Sequence, residues 1–536
     1  MARTLLQEMV EGKAFQSLPA NWSSFDLKSF SRQKRLWDYQ QQAVASAVVA
    51  LWKYYEDFGD FQRGENLDAN LERKRRFFEW YQENELPAGM NLQVGKLVRK
   101  LRALLEEYYD LNSPSPLETP HPNPLPASGA RGNVAQGRGR IGGGTGTAGE
   151  ITFESIVNRM CFWMATGSGK TLVLVKLIEV LRGLILAGEI PPNDILVLTH
   201  REDLIEQLKR HVQEFNSSRN DLYIRLRELK EYAEAKRENP SLFGAREMTV
   251  FYYRSDNLSD EQKERIIDFR NYDDNGKWYV LLDEAHKGDK EDSKRQHIYS
   301  ILARNGFLFN FSATFTDERD IVTTVCDFNL ARFTQAGYGK HIAILEQEFR
   351  AFRDQDDYTG EEKQKIVLKS LMLLAYVTKL AERLRTKQPK MYHRPLLLTL
   401  VNSVNTEDAD LKRFFRELER AGKGEVADSI WQTAKKELLD ELSRRPAPVF
   451  ESDSVVSVQE DVLRGLKPKD MLKLVFNASS PGEIEVLVRP SNRQELAFKL
   501  KTSERPFALI KIGDVSGWLK DELAGYEVNE RHHEPG

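Results

Sequence analysis

Short runs of consecutive apolar residues alternate with longer amphipathic stretches between about residues 151 and 315. The short runs predict strands that are buried on both faces, because a strand with one solvated face would alternate apolar and polar residues. The stretches between them, such as 172–186 and 201–215, repeat apolar residues with helical spacing. This alternation predicts an α/β fold with a parallel sheet covered by helices. The predicted strands are 160–164, 195–199, 248–253, 278–282 and 307–311.

Helical spacing dominates on both sides of this region. Residues 28–58 and 97–108 each predict a helix with one buried face. The charged stretch 65–83, which contains the run Arg73 to Arg76, predicts a helix with a solvated face. Residues 317–394 are predicted to be mainly helical. The other predicted elements are a long helix at 368–384, a buried strand at 395–401, a helix at 408–421 and strands at 483–488 and 507–512.

The composition changes abruptly at residues 113–149, where a proline-rich segment is followed by a glycine-rich one. Such a segment cannot bury a core, and it predicts a flexible, largely disordered insertion. Residues 137–142 fit the pattern G-x-G-x-x-G. No predicted strand precedes them, so we reject them as a dinucleotide site.

The length, charge and cysteine content of the chain limit the kinds of protein that it can be. A chain of 536 residues predicts roughly two to four domains. The net charge of −3 means that any contact with nucleic acid would come from local basic patches. Cys161 and Cys326 lie in apolar contexts, which predicts buried free thiols in a reducing compartment. The sequence has no apolar run of about 18 residues and no signal-peptide core, so we expect a cytoplasmic location.

A glycine-rich turn with the sequence A-T-G-S-G-K-T joins the predicted strand 160–164 to the helix 172–186. Its glycines would let backbone N–H groups approach phosphates, and the helix N-terminus adds a partial positive charge. Lys170 would reach the β- and γ-phosphates, and the Thr171 hydroxyl would bind Mg²⁺. Only the core of the P-loop pattern matches, since Met164 stands where the pattern has its first glycine. The predicted nucleotide-binding residues are Thr166, Gly167, Ser168, Gly169, Lys170 and Thr171.

Two further motifs follow predicted strands. The strand 278–282 runs directly into D-E-A-H at 283–286, and the strand 307–311 runs into S-A-T at 312–314. In parallel sheets, ligands gather at the carboxyl ends of the strands. The glycine-rich turn and these two motifs are therefore predicted to converge on one edge of one sheet.

The acidic pair has the chemistry that ATP hydrolysis needs. Asp283 is suited to hold Mg²⁺, and Glu284 can polarise the attacking water. The hydroxyls of Ser312 and Thr314 can relay hydrogen bonds between the nucleotide and a neighbouring domain. Upstream, the Gln40 amide offers both a donor and an acceptor to an adenine edge, although a polar residue at a helix start is an alternative interpretation.

In this order the motifs resemble motifs I, II and III of superfamily 2 helicases and translocases. Residues 35–40 resemble the glutamine motif of these enzymes, and residues 195–201 resemble motif Ia. Several stretches are also similar to the Res subunit of type III restriction enzymes, over about residues 33–526. They are R-L-W-D-Y-Q-Q-Q-A, R-M-C-F-W-M-A-T-G-S-G-K-T, N-F-S-A-T-F-T-D, R-P-L-L-L-T-L-V-N-S-V-N and P-F-A-L-I-K-I-G-D.

The resemblance implies a P-loop NTPase with a RecA-like parallel sheet, helical insertions, and ATP and Mg²⁺ as cofactors. It implies double-stranded DNA and a methyltransferase (Mod) subunit as partners. Gln40 would contact adenine, Lys170, Asp283 and Glu284 would be catalytic, and Thr171 and Asp283 would hold the metal. The residues that couple hydrolysis to motion would be His286, Ser312 and Thr314.

The resemblance also implies a domain organisation. Residues 1–112 would be a helical region with the glutamine motif, and 113–150 the Pro/Gly-rich insertion. Residues 151–335 would be a RecA-like ATPase domain, 336–394 a helical connection and 395–536 a partial second RecA-like domain.

The sequence departs from the family after residue 401, where no Q-x-x-G-R-x-x-R pattern of motif VI occurs. The tripeptides 228–230 and 234–236 fit the nuclease pattern E-x-K, but they lie in a charged stretch that we predict to be helical. We therefore expect a chain truncated at its C-terminus, without motifs V and VI and without a nuclease. Three functions remain open: the ATPase and translocase of a type III restriction enzyme, a stand-alone DEAH-type DNA or RNA helicase, and a non-catalytic remnant that binds ATP and DNA.

Overall fold

The structure is a computed structural model of the 536-residue chain. It forms two compact units, Met1–Gly339 and Lys340–Gly536, which we call the first and second units. The structure describes residues 5–58, 61–84, 104, 107–108, 157–239, 241–244, 246–285, 294–344, 360–387, 394–400, 410–444, 449, 458–489, 492–512, 515–521 and 523–530.

The first unit is built on a seven-stranded sheet in which all neighbouring strands are parallel. The strands of this unit are β1 (Arg159–Met164), β2 (Asp194–Thr199), β3 (Tyr223–Glu228), β4 (Glu247–Arg254), β5 (Leu258–Ser259), β6 (Ile267–Asp268), β7 (Trp278–Asp283), β8 (Phe307–Ser312) and β9 (Thr324–Phe328). Their order across the large sheet is β3–β4–β2–β7–β8–β1–β9, and β5 pairs with β6 separately.

Parallel strands need long crossover connections, and helices supply them here. The helices of the first unit are α1 (Leu5–Glu11), α2 (Ala20–Ser23), α3 (Asp38–Trp52), α4 (Leu67–Glu83), α5 (Lys170–Ala187), α6 (Glu202–Ser217), α7 (Tyr232–Glu238), α8 (Lys294–Leu302), α9 (Glu318–Val322) and α10 (Leu330–Gln335). Helices α3 and α5 share one apolar core with β1 and β8, in which Val44, Val173 and Phe309 are fully buried. The predicted α/β fold with a parallel sheet covered by helices is confirmed.

All five strands that the apolar runs predict are present. The prediction missed the short pair β5 and β6, and it missed two strands of the large sheet, β3 and β9, which form its two edges. Strand β3 mixes apolar residues with Arg225 and Arg227, and β9 contains Asp327, so neither has a continuous apolar run. Glu228, which we placed in a helical stretch, is the last residue of β3. The two cysteines are buried and free, as predicted.

The predicted solvated face of α4 was wrong for two of its cations. Arg73 and Lys74 are only 2% and 4% exposed. Arg73 donates two hydrogen bonds to Glu65, and its guanidinium lies over the ring of Tyr55. The Lys74 ammonium donates to the carbonyl oxygen of Arg304. A run of like charges therefore gave no indication that half of the run is internal.

The second unit consists of helices and a four-stranded sheet. Its helices are α11 (Gly360–Lys387), α12 (Asp410–Lys423), α13 (Asp428–Ser443), α14 (Glu460–Arg464), α15 (Pro468–Leu474) and α16 (Val515–Asp521). Its strands are β10 (Ile484–Arg489), β11 (Asn492–Leu500), β12 (Ala508–Lys511) and β13 (Glu527–Glu530). The order is β12–β11–β10–β13, with only the β10–β13 pair parallel. Whether this unit is a partial RecA-like domain stays a prediction.

The buried strand predicted at 395–401 was wrong over residues 395–400. These residues belong to no strand, and Leu396, Leu398 and Leu400 are 86%, 75% and 86% exposed. An apolar run becomes a buried strand only when neighbouring strands pair with it, and none of the described residues does so.

Some predicted features lie outside the described residues. They are the insertion 113–150 with its G-x-G-x-x-G pattern, and most of the helix at 97–108. In the part of the chain that the structure describes, no helix has both the length and the apolar character needed to span a membrane.

Candidate functional site

The glycine-rich turn joins β1 to α5, as predicted. Strand β1 ends at Met164, and α5 begins at Lys170. Gly167 and Gly169 have φ angles of 83° and 80°, which side-chain-bearing residues rarely adopt. Among the described residues, none accepts a hydrogen bond from the N–H groups of Gly167, Gly169, Lys170 or Thr171. Such N–H groups at a helix start are the donors that a phosphate group needs.

The start of α3 holds the turn from outside. The Tyr39 hydroxyl and the Gln40 Nε2 both donate to the Ser168 carbonyl oxygen, at 2.8 and 2.7 Å. The Gln40 Oε1 accepts from the Trp37 N–H at 2.8 Å, so both ends of this amide are used. A Cβ atom on Gly169 would lie 2.4 Å from Gln40 Nε2. The φ angle of Gly169 favours glycine there, and a side chain at this position would also displace the Gln40 amide.

This geometry places Gln40 beside the turn, and its contact with adenine stays a prediction. Tyr39 is a residue that the sequence analysis missed. Its position directly before Gln40 was the only signal, and helical spacing gives no reason to expect a contact between Tyr39 and a turn far along the chain.

The strands that carry the three motifs are neighbours, because β8 lies between β7 and β1. Trp163 of β1 pairs with Ser312 of β8, and Asp283 of β7 pairs with Phe311 of β8. The carboxyl ends of all three strands therefore lie at one edge of the sheet. The predicted convergence of the P-loop, the acidic pair and the S-A-T segment is present in the structure.

Lys170 and Glu284 form an ion pair, with Nζ 3.4 Å from Oε1. Glu284 follows the last residue of β7 and has a φ angle of 59°, an uncommon value for a residue with a side chain. Its N–H donates to Asp283 Oδ1 at 3.1 Å. This backbone conformation lets the two carboxyl groups leave the strand end side by side.

Asp283 is 6% exposed. Burial raises the pKa of its carboxyl to about 6, Lys170 opposes the increase, and the charge of Glu284 adds to it. A buried carboxyl with a raised pKa takes up a cation readily, because the cation removes the cost of burying the negative charge. Asp283 and the Thr171 hydroxyl are the side chains that fit a Mg²⁺ ion at this site.

The S-A-T segment contains two hydrogen bonds between its first and last residues. The Ser312 hydroxyl donates to the Thr314 carbonyl oxygen at 2.6 Å and accepts from the Thr314 N–H at 3.1 Å. The Trp163 indole N–H donates to the Ala313 carbonyl oxygen at 2.9 Å, which ties this segment to the strand before the P-loop. Thr314 itself is exposed. His286 lies outside the described residues.

A buried polar cluster behind the motifs was also missed by the sequence analysis. Arg159 of β1 forms an ion pair with Asp320 of α9 at 2.6 Å and donates to Ser300 of α8 at 2.8 Å. Asn310 of β8 donates to the same Asp320 oxygen at 2.9 Å. Burial lowers the pKa of the neighbouring His297 to about 3, so this ring is neutral at ordinary pH. The cluster fixes the helices after D-E-A-H and after S-A-T to the P-loop strand.

Among the described residues, no group of three or more His, Cys, Asp or Glu side chains could hold a metal ion.

Residues 150–317 match the family profile described as "Type III restriction enzyme, res subunit". The match covers the P-loop, both acidic residues and the S-A-T segment, but less than half of the chain. Together with the three motifs at one sheet edge, it identifies residues 150–317 as a helicase-like ATPase domain.

No curated protein matches this chain. Among solved structures, "The crystal structure of T4 UvsW" is 13% identical, with 71% of this chain and 74% of that chain covered. Its TM-score is 0.21, and so low a score supports no statement about this chain.

Proposed function

We propose that this chain is the ATP-binding, DNA-dependent ATPase and translocase module of a type III restriction enzyme Res subunit, which hydrolyses ATP with Mg²⁺ to move on duplex DNA. The observation that carries the proposal is the Lys170–Glu284 ion pair at a sheet edge shared by three motif strands. It brings a phosphate-binding cation and a candidate base for water within 3.4 Å of each other.

The residues divide the chemistry between them. The backbone N–H groups of Gly167, Gly169, Lys170 and Thr171 would donate to the phosphates, and the Lys170 ammonium would neutralise charge on the transferred phosphoryl group. Its movement onto the phosphates would release Glu284, which could then orient and polarise the attacking water. Gln40 would select adenine.

A bound Mg²⁺ would supply positive charge that neutralises the charge developing during phosphoryl transfer. The Thr171 hydroxyl and the Asp283 carboxylate would hold it, the latter through a direct or a water-mediated contact. Ser312, Thr314 and His286 would couple ATP hydrolysis at this site to movement along DNA.

The match of residues 150–317 to the Res family also supports the proposed partners. They are duplex DNA, contacted through its phosphates without reading of sequence, and a methyltransferase (Mod) subunit that reads the sequence. A net charge of −3 requires that DNA contacts be local.

A second candidate is a non-catalytic protein that binds ATP and DNA. Residues 402–536 contain no Q-x-x-G-R-x-x-R pattern, which is the motif that would supply arginines to the ATP site. An arginine from that motif can contribute several orders of magnitude to the rate of phosphoryl transfer. A stand-alone DEAH-type helicase is a third possibility, and the stretches that resemble Res argue against it.

The test is ATP hydrolysis by the purified chain with and without duplex DNA, together with ATP binding. We expect turnover that duplex DNA stimulates and that Lys170→Ala abolishes, while Lys263→Ala, an exposed lysine of the same unit, leaves it unchanged. Binding without turnover would favour the second candidate. Stimulation by RNA as strong as that by duplex DNA would favour the third.

A further inference from the structure

We propose that Tyr39 is a positioning residue of the phosphate site. Its hydroxyl, together with the Gln40 amide, fixes the orientation of the Ser168–Gly169 peptide so that the Gly169 N–H points toward the phosphate groups. The inference rests on the proposed binding of ATP and goes beyond it, because it assigns a role to a side chain outside the P-loop.

The first step of the argument is the geometry of one peptide group. The carbonyl oxygen and the N–H of a trans peptide point in opposite directions, and the described chain has no cis peptide bonds. The Ser168 carbonyl oxygen receives two donors, at 2.8 Å from Tyr39 and at 2.7 Å from Gln40. Both lone pairs of this oxygen are thereby used, and the Gly169 N–H must point away from α3.

The second step is that, among the described residues, only Tyr39 and Gln40 form hydrogen bonds to this peptide group. Gly167 and Gly169 lie on either side of Ser168, and glycine permits many backbone conformations. Nothing within 4 Å would restrict a Cβ atom at Gly167. The neighbouring peptides are held by the backbone, since the Ser168 N–H donates to the Ala165 carbonyl oxygen and the Gly169 carbonyl oxygen accepts from the Leu172 N–H. The two donors on the Ser168 carbonyl oxygen fix the peptide between them before a nucleotide arrives, and such preorganisation increases affinity.

The third step is that Tyr39 is itself held in place. Its ring stacks on Phe328 at 4.1 Å with an interplanar angle of 12°, and packs edge-on against Tyr338 and Phe333 at 4.9 and 6.3 Å. We call these four residues the aromatic cluster. Burial raises the pKa of Tyr39 to about 12, so the hydroxyl keeps the proton that it donates.

The same cluster contacts the turn at a second point. The Ala165 N–H, at the exit of β1, donates to the Phe328 carbonyl oxygen at 3.0 Å. The turn is thus held at its start through the backbone of Phe328 and near its end through the hydroxyl of Tyr39. A tyrosine that only filled space would not need its hydroxyl, and this distinction can be tested.

The test uses Tyr39→Phe in the full chain, which keeps the stacked ring and removes only the hydroxyl. Equilibrium binding is measured for Mg²⁺–ATP and for inorganic tripolyphosphate with Mg²⁺, which has no base. We expect both affinities to fall by the same factor, about fivefold to tenfold, as for one lost hydrogen bond. In turnover, KM should rise by this factor while kcat changes less than about twofold.

The matched control is Tyr253→Phe, which removes a hydroxyl that donates to the Arg265 carbonyl oxygen at 3.2 Å in the same unit. It should leave both affinities unchanged. Unchanged affinities in Tyr39→Phe would overturn the inference, and so would a loss for ATP alone, since Tyr39 would then act on the base. If the wild-type chain and Lys170→Ala bind ATP equally, the proposed function itself fails.

Discussion

At the residue scale, the surroundings of the Asp283 carboxyl group disfavour its ionised form. Asp283 is buried, and the desolvation of its carboxyl raises its pKa to about 6. Lys170 favours the charged form of Asp283, but it also forms an ion pair with Glu284 and does not offset the effect of burial. A protein accepts an unfavourable group of this kind where function requires it. The arrangement has consequences for stability and for nucleotide binding, and they can be measured separately.

The first consequence concerns stability and pH. The folded-state pKa of Asp283 is above its ordinary value of 3.8, so the folded state holds a proton that the unfolded state releases between about pH 4 and pH 6. Stability is therefore lost as pH rises through this window, by up to about 3 kcal/mol. Asp283→Asn should be more stable than the wild type at pH 8 and equal to it at pH 4, in thermal unfolding.

The control for this prediction is Asp203→Asn, since Asp203 is exposed and its pKa is lowered rather than raised. It should show no gain in stability at pH 8. An Asp283→Asn chain that is less stable than the wild type at pH 8 would contradict the prediction. Hydrolysis should be lost in this variant regardless, because an amide holds Mg²⁺ poorly.

The second consequence concerns Glu284→Gln, which removes the charge that pairs with Lys170. If Glu284 acts on the attacking water, turnover should fall at least about 100-fold. ATP should bind at least as tightly as to the wild type, because the ammonium no longer has to leave an ion pair. Single-turnover hydrolysis and equilibrium binding would check the two effects. Weaker binding with normal turnover would show that Glu284 has no part in the chemistry.

At the element scale, α4 depends on one buried ion pair. Arg73 is 2% exposed, and its contacts with Glu65 and the Tyr55 ring fix α4 to the segment before it. Arg73→Ala would leave the Glu65 carboxylate without its partner, which costs about 3–5 kcal/mol. Arg75→Ala, two residues along the same helix, removes an exposed pair with Glu72 and should cost less than about 1 kcal/mol. Chemical denaturation would measure both, and similar losses would contradict the prediction.

The character of each strand also explains which parts of the fold could be predicted from the sequence. Interior strands such as β7 and β8 are continuous apolar runs, so periodicity alone locates them. The edge strands β3 and β9 mix apolar and polar residues and were missed. The positions of the motif residues could be predicted because each motif directly follows β1, β7 or β8 in the sequence. The role of Tyr39 could not be predicted, because it depends on the contact between the start of α3 and the P-loop, and no local sequence pattern indicates this contact.

At the scale of the whole molecule, the two units have separate apolar cores. The core residues of the first unit lie between Leu6 and Cys326, and those of the second lie between Val367 and Leu523. Leu396, Leu398 and Leu400 belong to neither set of fully buried residues. The prediction of a strand at 395–401 failed for this reason, since sequence gives the apolar run but not the strands that would pair with it.

Separate cores lead to a prediction about the first unit alone. Every described residue of the proposed nucleotide site, from Gln40 to Thr314, lies within Met1–Gly339. A chain of residues 1–339 should therefore unfold cooperatively and bind Mg²⁺–ATP within about threefold of the full chain, because it keeps every residue that we propose to bind the phosphates. Binding calorimetry and thermal unfolding would check this, with Lys170→Ala in the shorter chain as the control.

A loss of affinity greater than tenfold in a folded first unit would mean that the second unit contributes directly to the nucleotide site. Equal affinity with lost turnover would instead assign the second unit to the hydrolysis step, where an additional cation stabilises the transferred phosphoryl group.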